Sequence, residues 1–228
     1  MGVSPGGWVL KRGIDILLAG AMLIVLFPLL VLCAVLIKLD SSGPILFRQV
    51  RIGRNFNRFQ LLKLRTMRAG EPGPAITLGI DPRITLVGGW LRRWKLDELP
   101  QLWNVLRGEM SLVGPRPVIP ELAEEFAADY RHLLRVRPGL TDPATVQYCR
   151  EAEMLALITE PLLYFKTVVT PEKLRLSRDY LARATVISDF AVMAKTALAL
   201  LVPVPPHARA PAFETLPHPV SQVSMSQH

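Results

Sequence analysis

The hydrophobic pattern divides the chain into one long apolar run and a series of shorter periodic stretches. Residues 16–37 contain no charged or strongly polar side chain, close to the roughly 20 residues that carry a helix across a hydrocarbon core. The run is too long for the apolar part of an ordinary signal peptide, and no small-x-small cleavage site follows it before Lys38 and Asp40. Near its middle, Pro28 lacks an amide hydrogen and strands the carbonyl of Ile24. Two topologies stay open on these residues: a kinked helix that crosses the bilayer, and a helix broken at Pro28 that dips in and returns. Lys11 and Arg12 precede the run, and Lys38, Arg48, Arg51 and Arg54 follow it. Basic flanks prefer the cytoplasmic side, which a single crossing cannot satisfy at both ends.

Beyond Gly43-Pro44, β-prone pieces at 45–50 and 59–64 enclose a basic, turn-like stretch and predict a small hairpin. Residues 69–82 are rich in Gly and Pro and predict a mobile surface loop, able to serve as a lid. Helical patterns run over 88–107 and 118–135; in the second, Leu122, Phe126, Tyr130, Leu133 and Leu134 recur on one face. Pro138-Gly139 ends that pattern, Pro171 suits the first turn of a helix through 184, and 189–201 is an apolar amphipathic segment suited to a membrane surface. Prolines among Ser, His and Gln make 202–228 a predicted disordered tail. The expected fold is mixed α/β, mostly helical. A membrane helix over 1–40 is fused to a domain over 41–201 that carries the hairpin and surface amphipathic helices, and the tail over 202–228 follows. No internal repeat is visible.

A formal charge of +8 and a pI near 9.9 narrow the partners to anions: nucleic acid, an anionic lipid surface or a phosphorylated substrate. The basic stretch of 48–68, with Phe47, Phe56 and Phe59 beside its arginines, has the composition of a nucleic-acid surface. It starts about ten residues after the membrane run, so lipid headgroups and substrate phosphates are the nearer anions, and nucleic acid is not an expected partner. The two cysteines, Cys33 and Cys149, lie far apart, and His132 stands away from His207, His218 and His228 in the tail, so neither a disulfide framework nor a histidine metal site is expected.

The densest concentration of reactive side chains is 95–104, followed by 111–117. Adjacent Asp97 and Glu98 stand among Arg92, Arg93, Lys95, Arg107 and Arg116, a setting that keeps carboxylates ionised and offers guanidinium groups to phosphate. The plainer alternative is an acidic first helical turn with a solvated basic face. In Gly114-Pro115-Arg116-Pro117 two prolines fix the backbone around one arginine and present its guanidinium at low entropic cost.

With these segments in view, residues 10–200 resemble the bacterial sugar transferase family, the monotopic phosphoglycosyl transferases. The resemblance rests on Lys11-Arg12 with Asp15, Phe47-Arg48-Gln49, Arg51-Ile52-Gly53, the 63–67 and 81–85 segments, 96–104, 110–117, 137–141 and 171–174, then Tyr180 and Asp189. It implies a re-entrant membrane helix broken at Pro28, with both ends on the cytoplasmic face of the bacterial inner membrane. Phe27 stands where the family usually has serine, and Asp142-Pro143-Ala144 replaces its common Gly-Trp continuation. The resemblance also implies that Asp97 attacks the β-phosphorus of a UDP-sugar and releases UMP. A polyprenyl phosphate acceptor then takes the sugar phosphate from the aspartyl intermediate, as the first step of exopolysaccharide, capsule, O-antigen or glycoprotein glycan assembly. Asp97 and Glu98 are expected to hold Mg²⁺; Arg116, Arg83, Lys63 and Arg65 are expected to bind substrate phosphates, and Lys11 and Arg12 lipid headgroups. A homodimer is left open. Two alternatives to this reading are a non-catalytic, membrane-tethered basic adaptor and a glycosyltransferase that releases UDP.

Overall fold

The computed structural model describes residues 5–70, 73 and 81–201; the predicted disordered tail and most of the predicted loop at 69–82 lie outside the described residues. The structure is mostly helical, with two small two-stranded sheets. Its first element is α1, Pro5–Asp40, which runs through Pro28 and is long and apolar enough to cross a bilayer. Asp15, Ala19, Cys33 and Ile37 are buried on the rest of the protein, a spacing that keeps one helical face inward. Leu17, Ile24, Val25 and Leu39 on the other faces are each more than 70 % exposed.

Polar contacts fasten both ends of α1. Near its start Asp15 accepts from Ser111 Oγ at 2.8 Å and Leu112 N at 3.2 Å. Arg12 donates to the carbonyls of Val105 and Leu106 at 2.8 and 3.0 Å, and Lys11 pairs with Asp189. At its end Arg65 donates to the carbonyls of Ser41 at 2.7 Å and of Ser42, and Asp40 Oδ2 accepts from Val87 N at 3.2 Å.

Strands β1, Leu46–Ile52, and β2, Arg58–Leu64, form the predicted hairpin, paired from Leu46↔Leu64 to Ile52↔Arg58. Asn55 and Phe56 in its tip have φ of 56° and 63°. Asn tolerates this left-handed region better than Phe does, and the tip is held where Asn55 N donates to Leu134 O at 2.7 Å. The helix predicted over 88–107 is instead broken. α2, Leu86–Arg93, stops before Lys95, whose φ of 55° turns the chain; a single 3₁₀ turn, Leu96–Glu98, follows, and then α3, Gln101–Arg107. Gly108, with φ of 84°, closes α3 in the left-handed conformation that glycine adopts without strain.

The second sheet was not foreseen. β3, Ser111–Val113, and β4, Gly139–Thr141, pair in parallel, and the crossover between them contains α4, Pro120–Glu125, and α5, Ala127–Leu133. These replace the single helix predicted over 118–135, yet Leu122, Leu133 and Leu134 of the expected stripe are buried, with Phe126 and Tyr130 packed beside them. Then come α6, Pro143–Gln147, α7, Glu151–Leu155, and α8, Pro161–Tyr164. A π-turn over Phe165–Val169 leads into α9, Thr170–Arg183, and α10, Val186–Leu201, completes the described chain. Ala19 of α1 shares one core cluster with Leu102, Val105, Met110, Leu112 and Val192, so the apolar helix is built into the packing that carries α3 and β3.

Gly114 and Gly139 meet where the loop after β3 leaves the sheet. A Cβ on Gly139 would lie 2.1 Å from Gly114 N, far inside van der Waals contact. Gly139→Ala is therefore expected to force these segments apart at a cost of about 1–3 kcal/mol, read as a lower thermal midpoint in detergent; an unchanged midpoint would show that this approach is not tight.

Candidate active site

The turn at Lys95 sets the next residues across the end of the hairpin. Asp97 and Glu98 occupy the 3₁₀ turn and both are buried. Glu98 Oε1 accepts from Lys63 Nζ of β2 at 3.2 Å and from Arg116, on the loop after β3. Arg116 is itself anchored by a 2.8 Å bond to Leu140 O of β4. Three segments distant in sequence thus meet on one carboxylate.

The two acids differ in their surroundings. Burial alone would raise the pKa of Glu98, but the charges of Arg116 and Lys63 outweigh it and hold the carboxyl well below its usual range. For Asp97 burial prevails and, with the Glu98 charge adding to it, raises the pKa against the pull of Lys63, Lys95 and Arg92. Asp97 Oδ1 is enclosed without any hydrogen-bond partner. One carboxylate is therefore a fixed, neutralised anion, and its neighbour is a more basic carboxylate with an uncommitted oxygen; such divergence separates the roles of paired acids.

Further cations surround the pair. On the hairpin, Phe47, Gln49 and Arg51 lie opposite Lys63, Leu61 and Phe59, and the alternation of side chains puts them on the same face as Lys63. Arg51 rests on Gln49 Oε1, at 3.1 Å from Nε and 2.7 Å from Nη2, and its pKa is pushed down to about 10 by burial and by neighbouring Arg116. Arg92 donates to Thr66 Oγ1 at 2.8 Å and lies near Asp97 and Glu98. Arg51 was not singled out as a site residue, and Arg92 was named only among the basic neighbours of the dyad. The signal for Arg51 was the two-residue period it shares with Lys63 across the hairpin.

Of the residues expected to bind phosphate, the structure gathers Lys63 and Arg116 at the dyad. Arg83 forks onto Asp81, at 2.9 Å from Nε to Oδ1 and 2.6 Å from Nη2 to Oδ2, and its charge acts on Arg92. Arg65 is buried against the carbonyls at the end of α1. Lys11 and Arg12 lie at the other end of that helix, where they line a separate cavity of about 260 Å³ with Arg54, Arg137 and Tyr180; neither dyad residue lines it. Asp142, the departure noted after Thr141, caps α6 through Thr145 N at 2.7 Å and is held by Ser177 Oγ at 2.7 Å.

Among the described residues no three His, Cys, Asp or Glu side chains converge as a metal site. Asp97 and Glu98 are the available pair, two adjacent carboxylates that offer hard oxygen donors. That set suits Mg²⁺, which keeps several waters and is commonly held by one or two carboxylates together with substrate phosphates.

A family model described as bacterial sugar transferase matches residues 6–203. The chain is 46% identical over 160 residues to a UDP-glucose:undecaprenyl-phosphate glucose-1-phosphate transferase of Caulobacter vibrioides, covering 65% of this chain and 60% of that protein. It is 45% identical over 149 residues to an undecaprenyl-phosphate glucose phosphotransferase of Komagataeibacter xylinus, covering 61% of this chain and 28% of that protein. With the exopolysaccharide production protein PSS of Rhizobium leguminosarum bv. phaseoli it shares 45% identity over 151 residues, which is 62% of this chain and 76% of that protein. The matched segment thus spans less than two thirds of the first two of these relatives.

The ion cluster has a pH signature. Because the folded pKa of Glu98 lies below its unfolded value, near 4.3, its stabilisation is present above that value and is lost as pH falls through the folded pKa. Arg116→Ala should cost about 1–2 kcal/mol at pH 7, discounted because Arg116 is about a third exposed. The gap in thermal midpoint between wild type and variant should hold from pH 7 to about pH 5 and narrow as pH falls below about 4, and a gap that stays constant down to the acid limit of folding would remove Glu98 as the source of the effect.

Proposed function

This chain belongs to the bacterial sugar transferase family, and on that premise we propose that it transfers a sugar 1-phosphate from a UDP-sugar to undecaprenyl phosphate, releasing UMP, as an opening step of exopolysaccharide or related glycan assembly. The observation that carries the reading is the contrast within the dyad: Glu98 is committed to Lys63 and Arg116, whereas Asp97 keeps an oxygen without a partner. Asp97 is the nucleophile. Its carboxylate oxygen bonds to the β-phosphorus as the bond from that phosphorus to the bridging oxygen breaks, and UMP leaves with the bridging oxygen. A terminal phosphate oxygen of the acceptor then attacks the same phosphorus and displaces the carboxylate, regenerating Asp97 and forming polyprenyl diphosphate sugar. One phosphoanhydride replaces another across the two steps, which gives ping-pong kinetics.

The surrounding residues suit charge handling along this path. Arg116, Lys63 and Arg51 bring positive charge to the place where a diphosphate would lie, and Glu98 fixes the first two so that little reorganisation is needed as charge develops. Mg²⁺, held by Asp97 and Glu98, would offset the charge of the donor diphosphate.

The two fastened ends of α1 support a membrane arrangement for this reading. A straight helix of this length would measure about 54 Å and place its termini on opposite sides of a bilayer. The catalytic domain holds both ends, through Asp15 and Arg12 at one and Asp40 and Arg65 at the other, which supports a re-entrant course around Pro28 on the cytoplasmic face. Trp90, Trp94 and Trp103, all more than a third exposed on α2 and α3, suit the headgroup level where tryptophan concentrates.

Two experiments test this. Purified protein with undecaprenyl phosphate, Mg²⁺ and a panel of UDP-sugars should release UMP, and Asp97→Asn should reduce the rate at least about 1,000-fold while still inserting in membranes. Release of UDP, binding without nucleotide release, or wild-type turnover by Asp97→Asn would each defeat the mechanism. For topology, Val9→Cys and Ser42→Cys, each placed separately in a background with Cys33 and Cys149 changed to serine, should react equally with an impermeant maleimide from one side of sealed vesicles. Reaction of the two positions from opposite sides would mean a single crossing.

A further inference from the structure

Gln101 begins α3 and is completely buried, yet neither its amide oxygen nor its amide nitrogen has a hydrogen-bond partner. Leaving a buried polar group unpaired costs about 1–3 kcal/mol, and native cores contain few such groups. The position of this one relative to the nucleophile gives it meaning. Successive i→i+3 bonds, Glu98 N to Lys95 O, Leu99 N to Leu96 O and Leu102 N to Leu99 O, at 3.2, 3.2 and 3.0 Å, make the chain from Lys95 into α3 a continuous set of helical turns. Gln101 stands four residues beyond Asp97 on that run, a little more than one turn along it. The enclosed, unpartnered oxygen of that turn is Asp97 Oδ1. Half of the unpaired buried side-chain atoms among the described residues, three of six, thus belong to Asp97 and Gln101.

A carboxylate nucleophile attacks through one oxygen, and the other can be used to fix its orientation. Oδ1 is the enclosed oxygen, which leaves Oδ2 to meet the donor. Resting on the reading of Asp97 as nucleophile, we propose that Gln101 is a positioning residue: its side-chain N–H donates to Asp97 Oδ1, directly or through one water, in the donor-bound state and keeps Oδ2 directed at phosphorus. Glu98 cannot serve in this way, since it carries no N–H and its Oε1 is held by Lys63 and Arg116. No bond to Gln101 is made or broken in the reaction, so its contribution appears in the rate of the chemical step and not in donor binding.

The experiment uses the full chain in nanodiscs and follows UMP release in the first half-reaction by rapid quench, with donor KM and thermal midpoint measured on the same samples. Gln101→Met, similar in length and apolar, should lower the rate about 10- to 100-fold with donor KM within about threefold. Its midpoint should be equal to or above that of wild type, because replacing unpaired polar atoms with apolar ones of similar shape is neutral or stabilising. Gln101→Asn, which keeps an amide, should recover part of the rate. A folded Gln101→Met protein with the wild-type rate overturns the proposal, and so does a loss confined to KM. If Gln101→Met does not fold, Gln101→Asn decides: a reduced rate at the wild-type midpoint supports the role and an unchanged rate overturns it. Failure of the transferase reading is separable, since it appears as absence of UMP release by wild type with every donor, and it removes this inference as well.

Discussion

A carboxylate enclosed by protein is stable only if cations enclosed with it replace the water it has lost. Glu98 meets that condition by drawing Lys63 from the hairpin and Arg116 from the loop after β3. Much of the domain can be understood as the means of bringing those two cations to one point. The antiparallel pairing aims Lys63 inward from β2, and the short parallel sheet, with glycine at each side of its closest approach, places the Arg116 loop over β4. The same cluster gives Asp97 its character, because the cations that neutralise Glu98 leave its neighbour buried with one oxygen unclaimed.

α1 adds a second constraint. A long apolar helix attached through one end only would be free to tilt against the domain. Here salt links, capping contacts and packing act at both ends, and the apolar surface between them stays exposed. Arg12 and Arg65 behave alike in this respect: each directs its guanidinium to carbonyl oxygens at a helix end, Arg12 to that of α3 and Arg65 to that of α1. Carbonyls at a helix end are short of intrahelical partners, and by bonding to them the arginines join the long apolar helix to the rest of the domain.

What could be read in advance depended on how local the cause was. The hairpin was legible because alternation and a basic turn are properties of neighbouring residues, and α9 was legible because Pro171 marks its first turn. The dyad was legible because Asp97 and Glu98 are adjacent among arginines. The break between α2 and α3 was not: it depends on Lys95 adopting a left-handed conformation, which nothing in its side chain announces. Nor was the β3–β4 pair, whose three-residue strands lie on either side of a crossover and show no periodicity. The contrast in surroundings between Asp97 and Glu98 also depended on which cations fold back to them. Arg65 is an instance of the same limit, since sequence gives its charge but not that the end of α1 would take its hydrogen bonds.

The chain leaves the hairpin at Met67 and Arg68 and returns beside them, with Arg68 N bonded to Arg83 O at 2.9 Å and Met67 bridged to Ile84. A segment whose two ends are already pinned together can change length without moving what lies outside the pin. Doubling such a loop adds only about 0.6 kcal/mol of closure entropy. The bond from Arg68 to Arg83 therefore isolates Lys63 and Asp97 from any change in chain length between the two pinned ends.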